Sequence, residues 1–138
     1  MSDIRKKVVV LPCSGIGKVY GALARATAYE LVERVRPEQT AMTCLPLLVI
    51  RDEQAMELIN KNQVITIDGC PKSCAFKSVE ALGKKVSKAF EAIHFHQAHK
   101  DLKPEGVAEL NETGRILAAV AAEELAKDID ELTAKEGS

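Results

Sequence analysis

Four short runs along the chain have the hydrophobic pattern of β-strands. Lys7–Leu11 is apolar at every position after its lysine, which is typical of a strand buried on both faces of a parallel sheet. Thr40–Cys44 is a weaker strand candidate, and the β-branched run in Val64–Asp68 leads into an Asp-Gly turn. Phe90–His96 alternates large apolar residues with small or polar ones, which predicts a fourth strand.

The segments between these runs have the periodicity of amphipathic helices. Pro37 ends the first helix, and Asp52 is placed to cap the second. The predicted helices cover Val19–Val35, Glu53–Asn60, Pro71 to about Lys84, and a final helix that is capped by Asn111 or Thr113 and ends near Thr133. The buried side of the final helix is expected to hold Ile116, Leu117, Val120, Leu125, Ile129 and Leu132.

Strands that alternate with helices in this way predict an α/β fold. We expect a single three-layer domain over residues 1–138, with a mainly parallel sheet of about four strands and helices on both faces, in a Rossmann-like arrangement. Right-handed crossovers would then bring the C-terminal ends of the strands to one edge of the sheet.

Charge and composition limit the classes of partner. The net charge of −1 gives no electrostatic basis for binding nucleic acid or an anionic membrane, and aromatic residues for base stacking make up only 4% of the chain. No run approaches the roughly 20 apolar residues of a membrane span, and the N-terminal apolar run is too short for a signal peptide. We therefore expect a reducing, cytoplasmic location, in which cysteines are metal ligands or reactive thiols rather than disulfides.

The four cysteines are the main candidates for chemistry. Cys70 and Cys74 lie four residues apart at a predicted strand-to-helix junction, so both sulfurs would share a helix face where the dipole favours negative charge. Cys13, Cys44 and Cys70 each fall at the C-terminal end of a predicted strand. Ligands bind at that edge of open α/β sheets, so we expect the four sulfurs to converge there. Tetrahedral sulfur coordination suits Zn²⁺, and iron–sulfur clusters use the same four ligands.

The glycine-bearing loop Pro12–Gly21 does not carry a nucleotide-binding motif. Pro12 occupies the position of the first P-loop glycine, and Val19 that of the P-loop Ser or Thr. A dinucleotide fingerprint is disfavoured because Gly21 comes one residue late. The glycines instead allow a ligand to approach the backbone closely, beside a helix start that favours a thiolate or another anion.

Three histidines form a second candidate group, near the end of the fourth predicted strand. His94 and His96 would point to one face of that strand, and His99 follows in the next loop. If the strand ends at the same edge as the others, these side chains lie near the cysteines. A solvated polar face is the alternative interpretation, and the sequence leaves their role open.

The stretch Asp68-Gly69-Cys70-Pro71-Lys72-Ser73-Cys74 resembles the signature of the DGC-domain family, which is named after its Asp-Gly-Cys tripeptide. The resemblance extends to Cys13-Ser14-Gly15 and to Cys44-Leu45, and it covers about residues 7 to 130. The family is described as a zinc-binding domain with four potential chelating cysteines. The resemblance therefore implies a zinc site, and the ligands that it implies are Cys13, Cys44, Cys70 and Cys74. The histidine-rich segment His94–His99 is not part of the family motif.

These observations predict a metal-binding protein, with zinc as the metal, in an accessory, metal-handling or sensing role rather than an enzymatic one. Four thiolates around one Zn²⁺ leave a formal charge of about −2 and no open position at which water could be activated. Two alternatives remain: a thiol-dependent redox or sulfur-transfer enzyme that uses Cys70 and Cys74, and an iron–sulfur protein. A protein partner or a homo-oligomer is left open.

Overall fold

Four parallel strands make up the sheet in the described part of the chain, in the order β2-β1-β3-β4. The computed structural model describes residues 8–13, 19–43, 47–48, 50–69, 74–106 and 110–137, with the backbone alone at 13, 74 and 135–137. The strands are β1 (Val8–Cys13), β2 (Thr40–Met42), β3 (Gln63–Asp68) and β4 (Lys88–Glu91). The helices are α1 (Val19–Glu30), which continues into a π-helical turn (Leu31–Val35), α2 (Glu53–Lys61), α3 (Cys74–Ala81), α4 (Ala92–Ala98) and α5 (Glu112–Gly137).

Both faces of the sheet are covered by helices, which confirms the predicted three-layer α/β fold. Val8 and Val10 of β1 belong to the apolar cluster that α1, α4 and α5 complete. Val9 and Leu11 belong to a second cluster on the opposite face, to which α2 and α3 contribute. Because side chains alternate between the faces of a strand, the continuous apolar run in β1 supplies both layers at once.

Two helix starts follow directly from the sequence. The Asp52 carboxylate accepts a hydrogen bond from the backbone N–H of Ala55 at 3.0 Å, so it caps α2 as predicted. The Asn111 side chain accepts from the N–H of Gly114 at 2.9 Å, which identifies Asn111 rather than Thr113 as the cap of α5. The local hydrogen-bonding capacity of Asp and Asn is sufficient to place both boundaries.

The prediction of a fourth strand over residues 90–96 was wrong beyond its first two residues. β4 ends at Glu91, and α4 begins at the next residue. Ala92 and Phe95 are buried while Ile93 is 40% exposed, which is helical spacing rather than alternation. The predicted alternation rested on Ile93 and Phe95 alone, which are too few to distinguish the two periods, and tertiary packing selects the helix.

The predicted buried side of α5 is correct for four of its six residues. Leu117, Leu125, Ile129 and Leu132 are buried. Val120 is only partly buried, and Ile116 is 47% exposed. The buried stripe is completed by small residues instead, because α5 packs closely along α1 through Ala118, Ala121 and Ala122. No helix in the described ranges is long and apolar enough to cross a membrane.

A buried hydroxyl in β3 offers a test of how the central strand is packed. Thr66 is fully buried, and its side-chain oxygen has no hydrogen-bond partner among the described residues. Replacing Thr66→Val removes an unpaired polar group at nearly constant volume, so we expect the free energy of unfolding to rise by about 1 kcal/mol. Urea denaturation of both proteins measures this difference. A loss of stability would mean that the hydroxyl has a partner, such as a buried water, in solution.

Candidate metal centre

The C-terminal ends of β1 and β3 lie side by side at the centre of the sheet. The register of these parallel strands pairs Cys13, the last residue of β1, with Asp68, the last residue of β3. From β1 the chain passes through α1 to β2 on one side, and it later returns to β3 on the other side. Connections that diverge in this way leave a crevice in which open α/β sheets bind ligands.

The turn after β3 touches the start of α1 through two glycines. A Cβ atom built on Gly69 would lie 2.6 Å from the backbone nitrogen of Gly21 and 2.7 Å from the carbonyl carbon of Tyr20, and closer still to the Gly21 Cα. Only glycine permits so close an approach of two backbones. The first described turn of α1 therefore packs directly against Gly69, the residue that precedes Cys70.

Asp68 joins the end of β3 to the beginning of α3. Its side chain is 2% exposed. One carboxylate oxygen accepts a hydrogen bond from the backbone N–H of Ala75 at 2.7 Å, and the other accepts one from the backbone N–H of Phe76 at 3.3 Å. Both N–H groups belong to the first described turn of α3, and the carboxylate bonds to them in the manner of a helix cap from seven residues upstream. Asp68 thus fixes both ends of the connecting segment that contains Cys70.

The electrostatic environment of Asp68 disfavours further negative charge. Burial raises the pKa of the Asp68 carboxyl above its ordinary value, the two backbone hydrogen bonds partly oppose that rise, and nearby Glu91 adds to it. The N–H groups that could otherwise stabilise a thiolate at the start of α3 are already bonded to this carboxylate.

The structure describes two of the four predicted cysteine ligands, and it describes the backbone alone for both. Cys13 ends β1, and Cys74 is the first described residue of α3. Cys44 and Cys70 lie outside the described residues, as do Ser14–Lys18 of the glycine-bearing loop. Among the side chains that the structure describes, no group of three or more His, Cys, Asp or Glu residues could hold a metal ion. The predicted four-sulfur site stays a prediction.

The three histidines do not form a group. The prediction that His94 and His96 share one face was wrong. Both residues lie in α4, and residues two positions apart in a helix point to nearly opposite sides of it. His94 Nε2 lies 3.8 Å from a Glu91 carboxylate oxygen, and His99 Nε2 lies 3.0 Å from one of Glu124. His96 instead bonds through Nδ1 to the hydroxyl of Tyr20, at 3.0 Å.

Two of these features were not predicted from the sequence. Gly21 was considered as part of a nucleotide motif and as a place for a ligand to approach the backbone, whereas in the structure it is the backbone of Gly69 that lies against it. Tyr20 gave no local signal, because its partner His96 lies 76 residues away.

Comparison with protein-family models identifies a family for this chain. The family model described as DGC domain matches residues 9–120, which includes β3, all but the first residue of β1, the Asp-Gly-Cys turn and all three histidines. Searches of curated proteins and of solved structures gave no match.

The close contact at Gly69 predicts a large stability loss on adding one methyl group. We expect Gly69→Ala to lower the free energy of unfolding by about 3 kcal/mol, because the new Cβ would overlap the α1 backbone. Gly83→Ala is the control, since a Cβ there meets nothing within 4 Å. Its cost comes only from placing a residue with a side chain at a left-handed φ of 78°. That cost is about 1 kcal/mol. Denaturant unfolding measures both, and equal losses would contradict the proposed contact.

The two caps of α2 and α3 predict different stability losses. Asp68→Ala leaves two N–H groups unpaired at a buried site, so we expect a loss of about 3 kcal/mol in the metal-free protein. Asp52→Ala removes an ordinary, partly exposed cap and should cost about 1 kcal/mol. Urea titrations followed by circular dichroism compare the two variants. If Asp68→Ala is no less stable than Asp52→Ala, Asp68 does not organise the start of α3.

Proposed function

The chain belongs to the DGC-domain family, since the family model covers residues 9–120, and on that premise we propose that it binds a zinc ion. The proposed ligands are the sulfurs of Cys13, Cys44, Cys70 and Cys74. The proposed role is accessory: metal handling or metal sensing, in a reducing cytoplasm that keeps the four cysteines as thiols.

The observation that carries the proposal is the order of the strands. β2, β1 and β3 are adjacent in the sheet. Cys44 follows β2 by two positions, Cys13 ends β1, and Cys70 follows β3 by two positions. Cysteines that are far apart in the sequence therefore belong to three neighbouring strand ends. Cys74, at the first described turn of α3, is tied to the same edge through Asp68.

The donor set fits zinc on chemical grounds. Thiolates are soft ligands that select Zn²⁺, Cu⁺ or iron–sulfur clusters over hard cations such as Mg²⁺. Four of them close the coordination sphere of zinc and leave no place for a reactive water, which is typical of structural or carrier sites. The Ala75 and Phe76 N–H groups are bonded to Asp68 and are not available to stabilise a thiolate, which supports a metal-bound set of cysteines over one isolated activated thiol.

Metal analysis of protein purified without oxygen tests the proposal. We expect one zinc ion per chain and no absorption in the visible range. A brown protein that contains iron and sulfide would replace zinc by an iron–sulfur cluster on the same ligands. Metal-free protein with one rapidly alkylated thiol would overturn the proposal in favour of a thiol-dependent redox or sulfur-transfer enzyme that uses Cys70 and Cys74.

Single substitutions test whether the site is shared among all four cysteines. Each of Cys13→Ser, Cys44→Ser, Cys70→Ser and Cys74→Ser should weaken zinc binding by at least tenfold in a chelator competition assay, because each removes a direct ligand. Ser73→Ala changes the same motif without touching a sulfur, and it should bind zinc like the wild type. Normal affinity in Cys13→Ser and Cys44→Ser, with loss in the other two, would restrict the site to the Cys70–Cys74 pair.

A further inference from the structure

A tyrosine–histidine hydrogen bond links α1 to α4 beside the Asp-Gly-Cys turn. The Tyr20 hydroxyl lies 3.0 Å from His96 Nδ1, and the two ring centroids are 6.1 Å apart. The backbone of Tyr20 is part of the surface on which Gly69 rests. Tyr20 therefore touches the motif turn with its main chain and α4 with its side chain.

The start of α4 lies at the same level of the sheet as the end of β3. β4 pairs with β3 so that Glu91 is the register partner of Asp68, and α4 begins one residue later. With the pairing between β1 and β3, the row Cys13–Asp68–Glu91 runs across the C-terminal edge. The hydrogen bond from α4 thus reaches α1 at the edge where the metal site is proposed.

α4 is a firm support for this hydrogen bond. Phe95, the neighbour of His96, is 8% exposed and lies in the apolar cluster that α1 and α5 share. Tyr20 packs against the same cluster. The other two histidines of this region, His94 and His99, lie beside the carboxylates of Glu91 and Glu124. Of the three histidines, His96 is the one with a described hydrogen bond to α1.

We infer that Tyr20 and His96 are positioning residues of the proposed metal site. Their hydrogen bond, together with the Gly69 contact, holds the first described turn of α1 against the end of β3, at the edge where β1 also ends. A site that is ordered before the metal arrives binds it more tightly, because binding does not then have to offset the entropy lost in ordering the ligands. This inference rests on the proposed function, and it adds two residues that are not ligands.

Zinc affinity of matched variants tests the inference. Tyr20→Phe keeps the ring and removes only the hydroxyl, and His96→Ala removes its partner. We expect each to weaken zinc binding roughly tenfold, the lower end of the effect of residues that orient metal ligands. The double variant should be no weaker than either single one, because both remove the same hydrogen bond. His94→Ala is the control, since His94 contacts Glu91 and not α1.

Two further readouts separate positioning from general stability. His96→Asn keeps a hydrogen-bonding atom near the place of Nδ1 and should restore much of the affinity, whereas His96→Gln, which extends toward Nε2, should not. In the zinc-free protein, amide hydrogen exchange at Gly21 and Gly69 should be faster in Tyr20→Phe than in His94→Ala.

The outcomes distinguish the inference from the proposed function. Wild-type protein that binds no zinc would overturn both. Wild-type protein that binds zinc, with Tyr20→Phe and His96→Ala equal to His94→Ala in affinity, would overturn the inference alone. A lower unfolding midpoint with unchanged zinc affinity would likewise assign the hydrogen bond to stability only.

Discussion

The contact between Gly69 and Gly21 governs how the functional edge of this protein is assembled. The backbones of Gly69 and Gly21 can lie this close only because Gly69 has no Cβ atom. The contact joins the turn after β3 to the helix that follows β1, which are the two strands at the point where the chain connections diverge. Asp68 and Tyr20, the sequence neighbours of these two glycines, connect the contact to α3 and α4.

Asp68 and the Tyr20–His96 hydrogen bond act on opposite sides of that contact. Asp68 lies buried on the side of α3 and fixes the path from strand to helix by accepting two backbone N–H groups. Tyr20 lies on the side of α4 and ties the other backbone of the contact to a helix anchored in the core. The edge is thus organised by backbone contacts and polar side chains, and the DGC-type motif supplies two of its central residues, Asp68 and Gly69.

The fold was predictable because its signals are local. Apolar runs and β-branched residues identified β1, β2 and β3, and Asp52 and Asn111 marked helix starts through hydrogen bonds within three residues. The segment after β4 was not predictable, because Phe95 is buried by a partner helix and not by its own strand neighbours. The contacts of Gly69 and Tyr20 were also beyond prediction, since they join residues remote in sequence. The cysteine pattern could predict strand ends as the place for a site, but the strand order that makes three of those ends adjacent is a tertiary property.

The central claim is that cysteines from three strand ends share one metal ion. X-ray absorption at the zinc edge of the wild-type protein tests it most directly, because the sulfur ligands are counted at the metal itself. Four cysteine ligands should give a single shell of four sulfur atoms at about 2.3 Å from zinc. A shell of two sulfurs completed by nitrogen or oxygen ligands near 2.0–2.1 Å would contradict it.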